Sequence, residues 1–169
     1  MKFVPLVPLS SCHVAMVDDA DYKRVMAAGP WYLQRVKHTF YAQRYVGRIK
    51  PGGRYEGQTL HRFIMGAAGA IQVDHENGIG LDCQRHNLRF ATGSQNQGNR
   101  ARSVKPHTSQ YKGVYWDKAR GKWLASICCQ GRRKNLGRFT REEDAAAAYR
   151  AAAREAFGIF VRYKKSRKG

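Results

Sequence analysis

The sequence predicts an α+β fold built from two small units in series. Residues 1–97 contain short strand-forming runs separated by turns and end in a strand–turn–strand–helix pattern. Residues 111–169 contain three strand-forming segments and then one alanine-rich helix, which is typical of a three-stranded antiparallel sheet packed on a helix. Residues 98–110 (GNRARSVKPHTSQ) are basic and polar and include Pro106, so they predict a linker between the two units.

The first unit is expected to begin with a strand-rich leader over residues 1–59, ahead of a core over residues 60–97. The apolar N-terminus is interpreted as an opening strand or turn, because Pro5 and Pro8 would break a signal helix. A short helix is predicted from Asp18 to Ala28. Its three early carboxylates are interpreted as a solvated helix start that suits the helix dipole, in preference to a metal site.

A β-hairpin is predicted next. Phe40–Val46 is rich in strand formers, Pro51–Gly53 predicts a turn, and Tyr55–His61 predicts the returning strand. His61–Ala68 is compatible with either a short helix or a continuation of that strand.

The segment from Val73 to Asn96 carries the residues that point to chemistry. It predicts a strand that ends at Asp74 and His75, a glycine-containing turn, a strand that starts at Asn87, and a helix that carries Asn96. Carboxylate and amide oxygens are hard ligands that suit Mg²⁺, with Mn²⁺ as the substitute. A divalent ion at Asp74 and Asn96 would stabilise charge on a phosphodiester while His75 takes a proton from water.

The second unit is predicted to contain strands over 111–117, 122–130 and 132–139. In the middle strand, period-two alternation places Trp123, Ala125, Ile127 and Cys129 on one face. The opposite face carries Lys122, Leu124, Ser126 and Cys128. Thr140–Glu143 predicts a capping box, and the helix that follows is expected to bury Ala145, Ala148, Tyr149, Ala152 and Ala156 and to end at Gly158.

The charge distribution favours a nucleic-acid partner. The chain has 31 Lys+Arg and 12 Asp+Glu, a formal net charge of +19. Residues 98–169 hold 19 basic and 5 acidic residues (+14), and residues 1–97 hold 12 and 7 (+5). Such a surface attracts polyanions over long range, which favours a nucleic acid and leaves a generally solvated surface, a ribosome or a membrane as alternatives. Double-stranded DNA is the partner expected from the charge and the motifs together.

The compartment is predicted from the cysteines and from the hydropathy pattern. The four cysteines include no C-x-x-C pair, so a reduced, cytoplasmic protein that is not secreted is expected. The sequence lacks a membrane span of about 18–20 apolar residues, so no membrane partner is expected.

The stretch from Leu60 to Arg100 resembles the HNH endonuclease family in its variant with Asn as the third motif residue, found in phage and intron-encoded homing endonucleases. The matching residues are Leu60-His61-Arg62, Val73-Asp74-His75-Glu76-Asn77-Gly78, Leu81-Asp82, Asn87-Leu88-Arg89, Ala91-Thr92 and Gln95-Asn96 with Asn99. The resemblance implies a small ββα-metal unit in which His75 is the general base and Asp74 and Asn96 bind one metal ion. It also implies that Asn87 orients His75, while Cys83 departs from the Asn that is common in these relatives.

The stretch from Tyr111 to Val161 resembles the ethylene-response-factor (APETALA-type) DNA-binding domain. The matching residues are Tyr111-Lys112-Gly113-Val114, Gly121-Lys122-Trp123, Ala125, Ile127, Leu136-Gly137-Arg138-Phe139 and Glu143-Asp144-Ala145-Ala146 with Ala148-Tyr149. The resemblance implies that the free sheet face enters a DNA major groove. The implied contacts are Tyr115, Asp117, Lys122, Ser126, Cys128, Arg133 and Asn135, with Tyr149 at a phosphate. Five of these, Tyr115, Asp117, Ser126, Cys128 and Asn135, depart from the family pattern, so its sequence preference does not carry over.

Together these features predict a site-specific, homing-type DNA endonuclease, phage-encoded and acting in a bacterial host, with no small-molecule cofactor. Arg89, Arg100 and Arg102 are predicted as further DNA contacts. One catalytic unit per chain implies that a monomer nicks and a dimer cuts both strands. The alternative is a non-catalytic DNA-binding regulator with the same two domains. The nuclease hypothesis requires that Asp74 and Asn96 can share an ion and that the His75 ring is not turned into the interior.

Overall fold

The fold is a mixed α+β arrangement of small antiparallel sheets and, among the described residues, four α-helices. The computed structural model describes residues 1–8, 12–36, 39–48, 53, 55–99 and 108–161. The chain divides into two compact units, Met1–Thr92 and Gly93–Gly169. Within the described ranges, no helix is long and apolar enough to cross a membrane.

The first unit contains three antiparallel sheets with the strand orders β1-β2, β3-β4-β5 and β6-β7. Its elements, in chain order, are β1 (Lys2–Pro5), β2 (Val14–Val17), α1 (Asp19–Ala28), β3 (Tyr32–Val36), β4 (Thr39–Arg48), β5 (Tyr55–Thr59), α2 (Leu60–Met65), β6 (Gln72–His75) and β7 (Leu88–Ala91). Single parallel bridges link Val7 to Tyr32 and Met16 to Asp82. These bridges tie the N-terminal hairpin both to the middle sheet and to the segment that precedes β7.

One hydrophobic core holds this unit together. Its members come from strands of all three sheets, from α1 and α2, and from the connecting segments. They are Val4, Leu6, Ala15, Val17, Val25, Trp31, Ala42, Leu60, Ile64, Val73, Cys83 and Leu88. The Trp31 indole nitrogen donates to the Val25 carbonyl at 2.9 Å, so this large ring is buried without losing its hydrogen bond. Val73 and Leu88, in β6 and β7, anchor the last hairpin to this core.

The predicted local elements of the leader are confirmed in type. The helix runs over Asp19–Ala28, and β4 and β5 form the expected antiparallel hairpin. The strand predicted over Tyr55–His61 ends earlier, because α2 begins at Leu60 and His61 lies in that helix. Most of the turn predicted over Pro51–Gly53 lies outside the described residues.

The carboxylates of the α1 start are not all solvated, so that interpretation is wrong for Asp21. Asp21 is only 3% exposed. It accepts hydrogen bonds from Arg85, at 2.7 and 2.9 Å, and from Arg24 at 2.6 Å. These two guanidinium groups, Arg85 above all, lower the pKa of the Asp21 carboxyl against the opposing effect of burial. Asp21 therefore fixes α1 to the 3₁₀ turn Arg85–Asn87 that precedes β7.

The second unit is a three-stranded antiparallel sheet backed by a helix. Its elements are α3 (Gly93–Asn99), β8 (Val114–Asp117), β9 (Lys122–Cys129), β10 (Arg132–Phe139) and α4 (Glu142–Phe157). The strand order is β10-β9-β8, with a bulge between Asn135 and Gly137. Helix α4 packs against all three strands, and α3 packs against α4.

Two details of α4 differ from the sequence-based expectation. Its buried residues are Ala145, Ala146, Tyr149, Ala153 and Phe157, so the predicted face is rotated by about one position. The residue at the N-cap is Arg141, which makes no side-chain cap hydrogen bond, so the predicted capping box is wrong. Glu142 instead accepts hydrogen bonds from the Ser109 hydroxyl at 2.6 Å and the Gln110 amide at 3.0 Å.

Gly113 shows how closely α4 approaches the sheet. Its φ is +74°, and a Cβ at this position would lie 2.2 Å from the Tyr149 ring. Only glycine fits both the backbone conformation and the space, so the Tyr149 ring is seated directly on the chain that leads into β8.

Candidate functional site

The β6–β7 hairpin brings together three of the four residues predicted for catalysis. Asp74 and His75 end β6, and Asn87 immediately precedes β7. In the ladder, Asp74 faces Arg89 and His75 faces Leu88. The fourth residue, Asn96, lies on α3, which follows β7 in the predicted order and belongs to the second unit.

Asn87 holds the loop that connects β6 to the 3₁₀ turn. Its side-chain oxygen accepts the Asn77 amide at 2.9 Å, and its side-chain nitrogen donates to the Asp82 carbonyl at 2.8 Å. Asn77 in turn donates to the Asp82 carboxylate at 2.7 Å. Because Asn87 is buried, these bonds satisfy polar groups that water does not reach. They fix the chain directly after His75.

His75 lies in the interior of the first unit and is only 5% exposed. The condition set from the sequence, that this ring is not turned into the interior, is therefore not met in this structure. Its ring packs edge-on against His61, with ring centroids 4.7 Å apart, and lies 5.8 Å from the Tyr41 ring. Burial lowers the pKa of His75 to about 4, even though the Asp74 and Asp82 charges act in the opposite direction. The ring is therefore neutral at neutral pH, which is the state that accepts a proton.

His61 is the second buried histidine of this cluster. Its Nε2 lies 3.1 Å from the Thr59 hydroxyl, and its Nδ1 is buried without a hydrogen-bond partner. Burial, together with the nearby His75 and Arg62, lowers the pKa of His61 to about 3. Desolvation therefore keeps both histidines uncharged. Strongly shifted pKa values of this kind are found more often at functional sites than elsewhere.

Cys83, the position that departs from the HNH pattern, lies directly beside this pair. Its sulfur is 3.9 Å from His75 Nε2 and 3.7 Å from the Gly80 carbonyl. Burial raises the pKa of the Cys83 thiol to about 12, so the group stays protonated and packs as a small apolar side chain. The side-chain hydrogen bonds that stabilise this turn are made by Asn77, Asp82 and Asn87, and not by Cys83.

Asp74 is buried and paired with Arg89 across the hairpin. The Arg89 Nε and one terminal nitrogen lie 3.0 and 2.9 Å from the same carboxylate oxygen of Asp74. Arg89 also lies 3.6 Å from Glu76. Arg89 was predicted to contact DNA, but its side chain is 14% exposed and serves as the counter-ion of the predicted metal ligand.

The donor set of the hairpin matches a hard cation only in part. Asp74 supplies one carboxylate, the ligand type that Mg²⁺ or Mn²⁺ prefers. Among the described residues, no three His, Cys, Asp or Glu side chains converge into a metal-binding group. An amide ligand such as Asn96 falls outside that residue set, so its predicted role stays a prediction.

A second candidate surface is the face of the β8–β9–β10 sheet opposite α4. Tyr115 lies on it, with its hydroxyl 3.2 Å from the Ser126 hydroxyl and its ring 6.0 Å from the Arg133 guanidinium. Asp117, on the same face, accepts the Arg138 Nε at 2.9 Å. This interaction lowers the pKa of the Asp117 carboxyl. The face therefore combines a tyrosine ring with at least two guanidinium groups, the groups that bind phosphates and base edges.

The predicted DNA contacts of this unit differ in accessibility. Lys122, Arg133 and Asn135 are exposed, and Tyr115 is half-buried. Ser126 and Tyr149 are buried, Ser126 beneath Tyr115 and Tyr149 against Gly113.

Two of the predicted contacts cannot be placed, and one exposed residue of the same sheet face was not predicted. Arg100 and Arg102 lie outside the described residues. Arg138 was missed because the bulge between Asn135 and Gly137 shifts the alternation, which places Arg138 opposite Leu124 on this face.

Comparison with known proteins supplies a family. Over 92 residues the chain is 33% identical to Protein 3.8 of Escherichia phage T7, a match that covers 54% of this chain and 74% of that protein. The chain belongs to the Protein 3.8 family. No family model matches the chain. The name Protein 3.8 states no activity.

Proposed function

We propose that the protein is a divalent-metal-dependent endonuclease of the HNH type that hydrolyses DNA and uses its second unit to bind the duplex. The observation that carries the proposal is the β6–β7 hairpin, in which Asp74 and His75 are adjacent and Asn87 locks the following loop. This hairpin supports the two-strand part of the ββα-metal interpretation. A phage relative supports a phage-encoded protein that acts in the cytoplasm of a bacterial host, as a homing endonuclease would.

His75 is proposed as the general base. Because burial keeps its imidazole neutral, the ring can take a proton from the water that attacks phosphorus. Asn87 is the positioning residue, since its two hydrogen bonds determine where the chain after His75 runs. A bound Mg²⁺ or Mn²⁺ ion, one per site, would stabilise the developing phosphate charge as a Lewis acid. Asp74, together with the predicted ligand Asn96, would hold it.

Two features require a rearrangement when DNA binds. His75 is 5% exposed, so the Tyr41 ring that packs against it must shift for water and phosphate to reach it. Arg89 engages the Asp74 carboxylate, so it must share or release that group when a cation binds. Catalytic contacts are often poorly formed before substrate binds and tighten in the complex. A released Arg89 would then be available to a phosphate, as the sequence predicts.

The second unit is proposed to bring the duplex to this site. Lys122, Arg133 and Arg138 lie on the exposed sheet face, and residues 98–169 carry a charge of +14. Arginine on a sheet face can bind guanine edges in the major groove, whereas the charge alone gives affinity without sequence preference. Site-specific cleavage would then depend on this face.

The second candidate is a non-catalytic DNA-binding regulator, and the same two features favour it. A buried His75 and an Asp74 neutralised by Arg89 are what a hairpin retained only as a scaffold would show. The two candidates share the DNA-binding face and differ in whether the phosphodiester is cut.

The test is incubation of the full chain with supercoiled plasmid and with phage genomic DNA, in Mg²⁺, in Mn²⁺ and in EDTA. The endonuclease predicts nicked or linear product with either metal and none in EDTA. Full-length supercoiled DNA under all conditions, with DNA binding in a gel-shift assay, would establish the regulator instead. Equal cleavage in EDTA would contradict the metal-dependent mechanism.

A further inference from the structure

A ladder of three tyrosines lies on one face of the β3–β4–β5 sheet. The Tyr45 ring is 5.3 Å from the Tyr32 ring and 5.5 Å from the Tyr55 ring, with interplanar angles of 51° and 57°. Tyr45 and Tyr55 are each 56% exposed. The rings are tilted against each other and are not stacked face to face, so part of each π-face is open to a ligand.

The same sheet face leads to the buried histidines. By the alternation of β4, Tyr41 and Tyr45 point to the same side, which is opposite to Ala42 in the core. The Tyr41 ring is 5.6 Å from His61 and 5.8 Å from His75. The four-residue separation of Tyr41 and Tyr45 corresponds to about 13 Å along the strand. A nucleic-acid strand that lay on the tyrosines would therefore end beside His75, the proposed general base.

The charge of this sheet favours a polyanion. Residues 32–59, which contain the three strands, hold six Lys+Arg and one acidic residue, Glu56, a net charge of +5. The strands themselves carry three of the basic residues, Arg35, Arg44 and Arg48. Exposed aromatic rings in a basic environment are the combination that binds nucleic acid by stacking and by backbone attraction.

Exposed aromatic rings can in general distinguish paired from unpaired bases. In a duplex the π-faces of the bases are already stacked on their neighbours, so aromatic side chains find free faces only on unpaired nucleotides.

We infer that Tyr32, Tyr45 and Tyr55 form a stacking platform for an unpaired stretch of a DNA strand and that the substrate of the hairpin site contains such a stretch. The inference deepens the proposed function and rests on it for cleavage, whereas binding to the platform does not depend on cleavage. The strand would run from the tyrosines towards Tyr41, so the cut would fall close to the edge of the unpaired stretch.

A structural role for the ladder is the competing explanation, because cross-strand aromatic pairs stabilise sheets. The two explanations separate in solution. A stabilising ladder predicts that loss of a ring lowers the free energy of unfolding and leaves nucleic-acid preference unchanged. The platform predicts loss of preference even in a variant that retains its fold.

The experiment compares two DNA duplexes of the same sequence, one fully paired and one with an internal bubble of unpaired thymines, bound to the full chain in EDTA. Wild type should bind the bubble on the order of tenfold more tightly, since a stacked base contributes substantially to affinity. Tyr45→Leu should remove this preference, and Tyr45→Phe, which keeps the ring, should retain it. Phe3→Leu is the matched control, because Phe3 is an equally exposed ring on a different sheet.

Photo-crosslinking gives a measurement that does not depend on the fold of any variant. An oligonucleotide with 5-iodouracil in the bubble should crosslink to Tyr45 or Tyr55 of the wild-type protein, as located by mass spectrometry. Equal affinity for the two duplexes, or crosslinks only in the second unit, would overturn the platform. If the platform fails in this way but the protein still cleaves paired plasmid in Mg²⁺, the proposed endonuclease activity stands. If the bubble preference is present but no DNA is cleaved, only the proposed endonuclease activity is overturned.

Discussion

The two regions that we propose to contact DNA are built in opposite ways. The β6–β7 hairpin holds its polar residues in the interior, with Asp74, His75 and Asn87 all at or below 5% exposure. The β8–β9–β10 face displays Lys122, Arg133 and Asn135 to solvent. The hairpin groups are fixed by hydrogen bonds and desolvated, whereas the exposed groups keep their hydration and their conformational freedom.

The difference follows from what each task requires. A general base and a metal ligand gain from a fixed position and from exclusion of water, even though their burial costs stability. Contacts to a DNA backbone gain from long-range attraction, which needs exposed charge and little pre-organisation. If the comparison is correct, substitutions in the hairpin should change stability and chemistry, and substitutions on the sheet face should change only binding.

The largest expected stability effect is a pH dependence located in the hairpin unit. His61 and His75 have folded pKa values of about 3 and about 4, below the ordinary 6.5. Between pH 6.5 and pH 4 the unfolded chain therefore binds protons that the folded chain does not, so stability falls as the pH falls. At pH 5 each histidine should cost about 2 kcal/mol relative to pH 7.5, measured by urea unfolding.

The control for this effect is the His61→Gln/His75→Gln double variant, in which most of the loss between pH 7.5 and pH 5 should vanish. Asp21 does not account for the loss, because its lowered pKa stabilises the fold above the ordinary carboxyl value of 3.8, and this contribution is lost only as the pH falls below that value. An unchanged pH dependence in the double variant would show that the two rings are not buried as described.

The next largest effect is the loss of stability when a buried asparagine is replaced, compared with an exposed one. Asn87→Ala should lower the free energy of unfolding by about 2–4 kcal/mol, because it leaves the Asn77 amide and the Asp82 carbonyl without their partner. Asn135→Ala, on the exposed face, should stay within about 0.5 kcal/mol of wild type. Asn87→Asp, which buries a carboxylate oxygen against the Asp82 carbonyl, should be at least as destabilising as Asn87→Ala. Equal stability of Asn87→Ala and Asn135→Ala would break the comparison.

The smallest effect concerns the sheet face alone. Arg133→Ala should weaken duplex binding on the order of tenfold and reduce the slope of log affinity against log salt by about one, with unchanged thermal stability. Arg154→Ala removes the same charge from an exposed position of α4 and should leave the slope unchanged. Identical slopes for the two variants would show that affinity comes from net charge and not from this face.

Local elements could be predicted from the sequence because their signals are local. The alternation in Lys122–Cys129 and the turn glycines around it specify β9 and its neighbours, and Gly29-Pro30 ends α1 where expected. The hairpin that carries Asp74 and His75 was also predicted in type and order. Boundaries were less accurate near His61, because β5 was expected to reach that residue whereas α2 begins at Leu60. Of the two alternatives for residues 61–68, the short helix is the one observed.

The long-range contacts could not be predicted, because no local pattern encodes them. Arg85 meets Asp21 across sixty-four positions of sequence, which turns a presumed solvated carboxylate into a buried anchor. Arg89 reaches Asp74 only because the hairpin register places them opposite each other. The tyrosine ladder likewise depends on the pairing of three strands, although each tyrosine lies in a strand-forming run.

The proposed hydrolysis of DNA depends most directly on His75. The decisive measurement is single-turnover cleavage of DNA in Mg²⁺ by wild type and by His75→Ala, with duplex binding measured on the same samples. Loss of cleavage by at least about a hundredfold with binding within about twofold of wild type is expected for a general base. Equal cleavage by the two proteins at equal binding would contradict the role assigned to this ring.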